Sequence, residues 1–134
     1  MCVGDTRSQI EARIGKRLRP KQDYADACGD YFAHPTIASR KVMLQFSSAG
    51  PEGELEVIGV PLSETERRMT PQELSRAARS VVRDLVDGTV FEDGTPAQAD
   101  PLYLTIAGRP EVGVNIKPDP PEQYFFVTDA GCID

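Results

Sequence analysis

Tryptophan is absent, histidine occurs once and cysteine three times in this chain of 134 residues. Each shortage removes a class of chemistry. A Ser-His-Asp or Cys-His arrangement would have to use His34, and no Gly-x-Ser-x-Gly elbow or other nucleophile motif accompanies it, so His34 is read as structural. The cysteines show no Cys-x-x-Cys spacing and there is no Asp-x-Asp-x-Asp-Gly loop, so no metal site is expected. Gly50 and Gly53 fall in a turn and not between a strand and a helix, which excludes a phosphate-cradling loop. Asp23, Asp26 and Asp30 are read as solvent-facing, and none of the 21 carboxylates stands out as half of an acid–base pair. No catalytic residue and no cofactor are assigned, and the chain is not read as an enzyme. No apolar run approaches the ~20 residues that span a bilayer. Positive charge is also scarce: 15 basic against 21 acidic side chains give a net charge of −6, the wrong sign for general nucleic-acid binding.

What is present describes one folded domain over residues 1–134. At 40% hydrophobic and 27% charged, with no low-complexity tract, the composition is that of a globular protein able to bury a single core. The charge is unevenly placed. Residues 1–22 hold Arg7, Arg13, Lys16, Arg17, Arg19 and Lys21 against Asp5 and Glu11, a local +4, whereas residues 88–134 carry −6. The basic N-terminal segment 1–22 thus differs from the body 23–134. It is either a solvated helix face or a patch that lies against an anionic lipid or polymer.

Periodicity predicts two helices and about five strands. Asp5 or Thr6 can cap a helix 6–18 with Ile10, Ile14 and Leu18 at four-residue spacing and Pro20 as its stop. Thr70-Pro71-Gln72-Glu73 opens a stronger helix, 71–87, in which Leu74, Ala77, Ala78, Val81, Val82 and Leu85 form one apolar stripe ended by Gly88. Its other face carries Arg76, Arg79 and Arg83, read as solvated and ion-paired. Residues 20–35 lack a clean period, and Tyr24, Cys28 and Tyr31 or Phe32 suggest one helical turn. Alternation predicts a hairpin over about 40–60 and strands at 102–107, 112–116 and 124–128, with the prolines of 108–111 and 117–122 kept in turns. Loops this short require antiparallel neighbours. The fold class expected is α+β, a single antiparallel sheet of about five strands with two helices packed on one face.

The cysteines bear on compartment. In a reducing cytosol Cys2, Cys28 and Cys132 would be ordinary thiols. Cys2, however, lies where a mature bacterial lipoprotein carries its lipid, which would leave Cys28 and Cys132 as a disulfide pair closing a loop of about 105 residues, worth about 4 to 5 kcal/mol in the chain-entropy estimate. Cys28-Gly-Asp-Tyr-Phe, then Pro35-Thr-Ile-Ala-Ser before a strand, then helix 71–87, then a meander closing on Phe126-Val-Thr-Asp-Ala-Gly-Cys132, resembles the layout of LppA-type lipoproteins of mycobacteria and their actinobacterial relatives, over roughly residues 8–133. The resemblance implies a secreted domain on the outer side of the cell membrane, tethered through a lipid and binding something at the envelope.

Two further expectations concern partners. Alternation sets Tyr124, Phe126 and Thr128 opposite to Phe125 and Val127, and Tyr103 opposite to Leu102 and Leu104. Either helix 6–18 or the loop 92–101 covers the first set, or an open aromatic patch near Tyr103, Asn115 and Tyr124 contacts an envelope lipid, glycan or partner protein. The competing function is a small acidic cytoplasmic protein that neutralises a basic toxin, as immunity proteins do, since a net charge of −6 steers toward a basic surface.

Overall fold

The computed structural model describes residues 1–22, 30–82, 85–87, 102–106, 109–128 and 131–133. The first helix, α1, runs over Arg7–Ile14. Thr6 caps it in extended conformation, accepting from the Gln9 amide while the Gln9 side chain accepts from the Thr6 amide, so two of the orphan donors of the first turn are satisfied. Gly15 ends it in the left-handed region at φ 69°, a turn that glycine makes without steric cost. The helix is therefore shorter than the 6–18 expected from the Ile10, Ile14, Leu18 spacing. Leu18 is buried from the non-helical segment that follows instead, and its amide donates to Glu11 Oε2 at 2.7 Å.

The second helix, α2, covers Pro71–Val81 with Thr70 and Glu73 forming the expected capping box. It stops six residues before the expected end. Val82 is extended and bridges to Ile133, and Leu85–Asp87 forms a strand. β-Branched Val81 and Val82 fit a strand at least as well as a helix, so the periodic stripe yields to backbone pairing with the C-terminal segment.

The strands are β1 (Lys21–Gln22), β2 (Tyr31–Ala33), β3 (Thr36–Ile37), β4 (Arg40–Lys41), β5 (Met43–Phe46), β6 (Leu55–Pro61), β7 (Leu85–Asp87), β8 (Tyr103–Ile106), β9 (Arg109–Lys117) and β10 (Tyr124–Thr128). Eight of them form one antiparallel sheet in the order β1-β2-β5-β6-β10-β9-β8-β7, and β3 pairs with β4 as a small hairpin. The α+β class holds, with more strands than the five expected. Residues 31–33 are a strand where the aromatic spacing suggests a helical turn, and Pro110 lies inside β9, beside the register shift at Thr105/Ile106, where proline content predicts a turn. The loop 92–101 lies outside the described residues.

Alternation divides the sheet cleanly. Leu44, Ile58, Val127 and Val114 lie side by side on one face, with Val60, Phe125 and Ile116 in the next row. All are buried and join Ile10 of α1 and Leu74 and Ala78 of α2 in one cluster, so both helices contribute to the core on the same side of the sheet.

The chain ends meet beside this core. Cys2 faces Cys132 in an antiparallel bridge flanked by hydrogen bonds from the Ile133 amide to the Met1 carbonyl and from the Val3 amide to the Gly131 carbonyl, and the two sulfurs are joined in a disulfide. This corrects the expected Cys28–Cys132 bond, because a sulfur forms only one disulfide and that of Cys132 is taken by Cys2. Cys28 lies outside the described residues. The same bond corrects the assignment of Cys2 as lipid anchor, since its sulfur is not available for a thioether.

The β3–β4 hairpin is fastened by a charged pair. Arg40 reaches Glu66 through two hydrogen bonds of 2.7 and 3.1 Å, and the Ser63 amide donates to the same carboxylate at 2.8 Å. Burial of Glu66 favours its neutral form, but the hydrogen bonds from Arg40 and the Ser63 amide, with the Arg40 charge, outweigh it and hold the pKa below its ordinary 4.5. A carboxyl with a depressed folded pKa adds stability above its unfolded pKa, and this is lost as pH falls through the folded value. Wild-type unfolding midpoints are therefore expected to fall as pH drops below 4.5, and Glu66→Gln to flatten that fall in thermal melts run across the acid range. At pH 7, Glu66→Ala should cost about 2–3 kcal/mol, less than for a fully buried pair because Arg40 is half-exposed.

The turn of the same hairpin is Ala38-Ser39, both with positive φ, 49° and 68°. Two-residue hairpin turns of this hand favour glycine or asparagine. Ser39→Gly is expected to stabilise the chain by about 0.5–1 kcal/mol, a rise in Tm of about 2–4 °C, the relief of the left-handed backbone exceeding glycine's added unfolded-state freedom.

Candidate functional site

The sheet face opposite the helices carries side chains of a different kind. Asn115 in β9, Phe126 in β10, Gly59 in β6 and Met43 in β5 lie side by side across four strands. In the adjoining row Phe32, Gln45 and Val57 are neighbours. Tyr124 and Phe126, two positions apart on β10, stack with ring centroids 5.3 Å apart and planes 30° from parallel. Both rings are half-buried and Asn115 is exposed. Gly59 makes this closeness practicable, because a Cβ there would lie 3.2 Å from the Met43 methyl and 3.3 Å from the Tyr124 ring. With no side chain on β6 at that point, Met43 and Tyr124 both crowd the space over the strand. Gly59→Val is expected to push Met43 and Tyr124 apart, at a cost of about 1–3 kcal/mol in thermal melts.

Phe32 and Met43 also belong to a second feature, an open groove of about 810 Å³ at the β1–β2 edge of the sheet. Its rim is formed by Lys16, Arg17, Arg19, Lys21 and His34, and among the described residues no carboxylate lines it. The positions of the cations follow from local anchoring. Gly15 turns the chain out of α1, Leu18 is buried, and its amide is held by Glu11, so residues 16–20 leave the helix with Arg17 and Arg19 exposed on either side of the buried Leu18. Lys16 Nζ reaches the Thr36 carbonyl at 3.5 Å, tying this segment to the β3–β4 hairpin. Glu11, the nearest acidic residue on the N-terminal side of this run, is occupied with the Leu18 amide and with Arg7 at 3.4 Å. Same-sign charge in a cleft with low-dielectric walls concentrates the field and attracts the opposite sign.

Of the residues expected at a binding patch, Asn115 and Tyr124 are brought together across β9 and β10, with Phe126 between Asn115 and Gly59 in register. Tyr103 is the register partner of Asn115 in β8. The alternative in which helix 6–18 covers this face does not hold, since Ile10 of α1 packs into the core on the other side. Sequence reasoning overlooks Phe32, Met43 and Gly59. The signal for Gly59 is legible, a glycine at the solvent-side position of an alternating strand, but Phe32 sits in a stretch without periodicity.

Fold and surface together define a small α+β domain, closed by a disulfide between its terminal segments, with a cationic groove opening onto an aromatic sheet face. Comparison with known protein families, with curated proteins and with solved structures returned no match.

Proposed function

We propose that this chain is an extracytoplasmic binding domain of the bacterial cell envelope, whose contact surface is the half-exposed sheet face bearing Asn115, Tyr124 and Phe126. The Cys2–Cys132 disulfide carries the reading, because structural disulfides form and persist in oxidising compartments and this one closes nearly the whole chain. The similarity of element order to LppA-type lipoproteins supports the same compartment; retention at the envelope then rests on contacts of the folded surface and not on a lipid at Cys2. Amphipathic rings on a rigid sheet supply contact area at little entropic cost, which favours binding there. An acidic inhibitor of a basic toxin is the less favoured reading, since the groove at the β1–β2 edge is cationic.

The test is the fate of the natural gene product in its own cells. Fractionation followed by alkylation of free thiols and peptide mapping should recover the chain outside the cytoplasm with Cys2 linked to Cys132. Recovery in the cytoplasm with both residues alkylated would overturn the proposal.

A further inference from the structure

The ligand class follows from the groove and the aromatic sheet face taken together. We infer that the groove rimmed by Lys16, Arg17, Arg19 and Lys21 holds a polyanionic glycan chain, whose sugar rings lie along Phe32 and Met43 toward the Tyr124–Phe126 stack. The inference deepens the envelope-binding reading by naming the ligand, and rests on that reading only for where the ligand is met.

Four observations carry it. First, with those four cations set aside the chain's net charge of −6 becomes −10, so a polyanion finds attraction in the groove and repulsion from most of the remaining surface. Second, four cations drawn from residues 16 to 21 line the one groove, more positive charge than a single phosphate or carboxylate can meet and suited to charges repeated along a polymer. Third, the apolar surface is continuous with the cationic one. Phe32 and Met43 line the groove, Met43 and Tyr124 both border the bare backbone of Gly59, and Tyr124 stacks on Phe126. The span from β2 to β10 crosses three strand spacings, about 14 Å. The C–H faces of sugar rings pack on such rings while their hydroxyls stay in water. Fourth, the shape disfavours a lipid surface. A bilayer surface is flat and the groove concave, and the apolar residue within the basic run, Leu18, is buried in the core and not directed outward to insert into lipid.

The experiment is a titration of the full chain, with the disulfide intact, against polygalacturonate and phosphorylated dextran as anionic glycans. Unmodified dextran, phosphatidylglycerol vesicles and a single-stranded oligonucleotide serve as comparators. At least one anionic glycan should bind, with affinity falling about tenfold between low and high salt as the groove is screened, and unmodified dextran should bind far more weakly. Arg17→Glu combined with Arg19→Glu should lower affinity at least roughly tenfold through charge reversal at the rim, and Tyr124→Ala should lower it about threefold through loss of ring contact. Arg67→Glu, an exposed cation outside the groove, should leave binding unchanged. Both arginines of the double variant are exposed, so its fold should survive, which a thermal melt checks. Failure of both anionic glycans to bind at low salt, binding indifferent to the double variant, or tighter binding to vesicles or oligonucleotide would overturn the inference. None of these results touches the compartment, which thiol mapping reads separately.

Discussion

Replacing Cys2 and Cys132 together by serine should lower the unfolding free energy by about 5 kcal/mol, the chain-entropy value for a bond across a sequence separation of 130 residues. The bond joins residues near the two ends of the chain, so almost every conformation of the unfolded polymer is restricted by it. On the native side little is expected to change, because the terminal segments also pair through the Met1, Val3, Gly131 and Ile133 backbone groups. Small domains have about 5–15 kcal/mol in total, so the variant should fold yet melt some 15–20 °C lower. Guanidinium titrations of the double variant against wild type, with and without reductant, give the measurement. Wild type in reductant should approach the variant, and the denaturant slope should rise as the unfolded chain becomes more open. A difference below about 1 kcal/mol would mean that the two sulfurs are not joined in solution.

Phe125→Ala should cost about 3–5 kcal/mol and lower Tm by about 11–18 °C, while Phe126→Ala, one residue along the same strand, should cost under about 1.5 kcal/mol. Phe125 is fully buried, with Val60 and Ile116 as its register partners on either side, on a strand flanked by β6 and β9 at the middle of the sheet. Its truncation leaves a cavity that neighbouring backbones, held in ladders on both sides, cannot collapse to fill. Phe126 points the other way and is half-exposed, so water replaces most of what is lost. Equal losses for the pair in urea titrations would show that the two faces are equally covered.

That the two rings lie on opposite faces is legible in the amino-acid sequence, because alternation along 124–128 separates Tyr124 and Phe126 from Phe125, and the packing of the helices decides which face is covered. The capping residues Thr6, Thr70 and Glu73 are equally legible, since a cap is decided by contacts within three residues. Other features fail for one recurring reason. Val82 and Leu85 extend a helical stripe in sequence, but Val82 pairs with Ile133 and Leu85–Asp87 with β8, partners that no local window contains. Gly59 and Met43 come together with Tyr124 only because β5, β6 and β10 are neighbours, although β10 lies more than sixty residues beyond β6 in the chain.

By itself the sequence determined the α+β class, the two helix starts, the division of the central strands into two faces and the basic character of residues 1–22. These depend on composition, on periods of 2 and 3.6, and on short-range hydrogen bonds. Only the tertiary structure decided which cysteine Cys132 meets, where α2 stops, and that Arg17 and Arg19 rim a groove instead of standing on a helix. Each of those outcomes depends on which distant segments become neighbours. The free energy that selects among such pairings comes from burying one shared core, a property of the whole chain that no stretch of it carries alone.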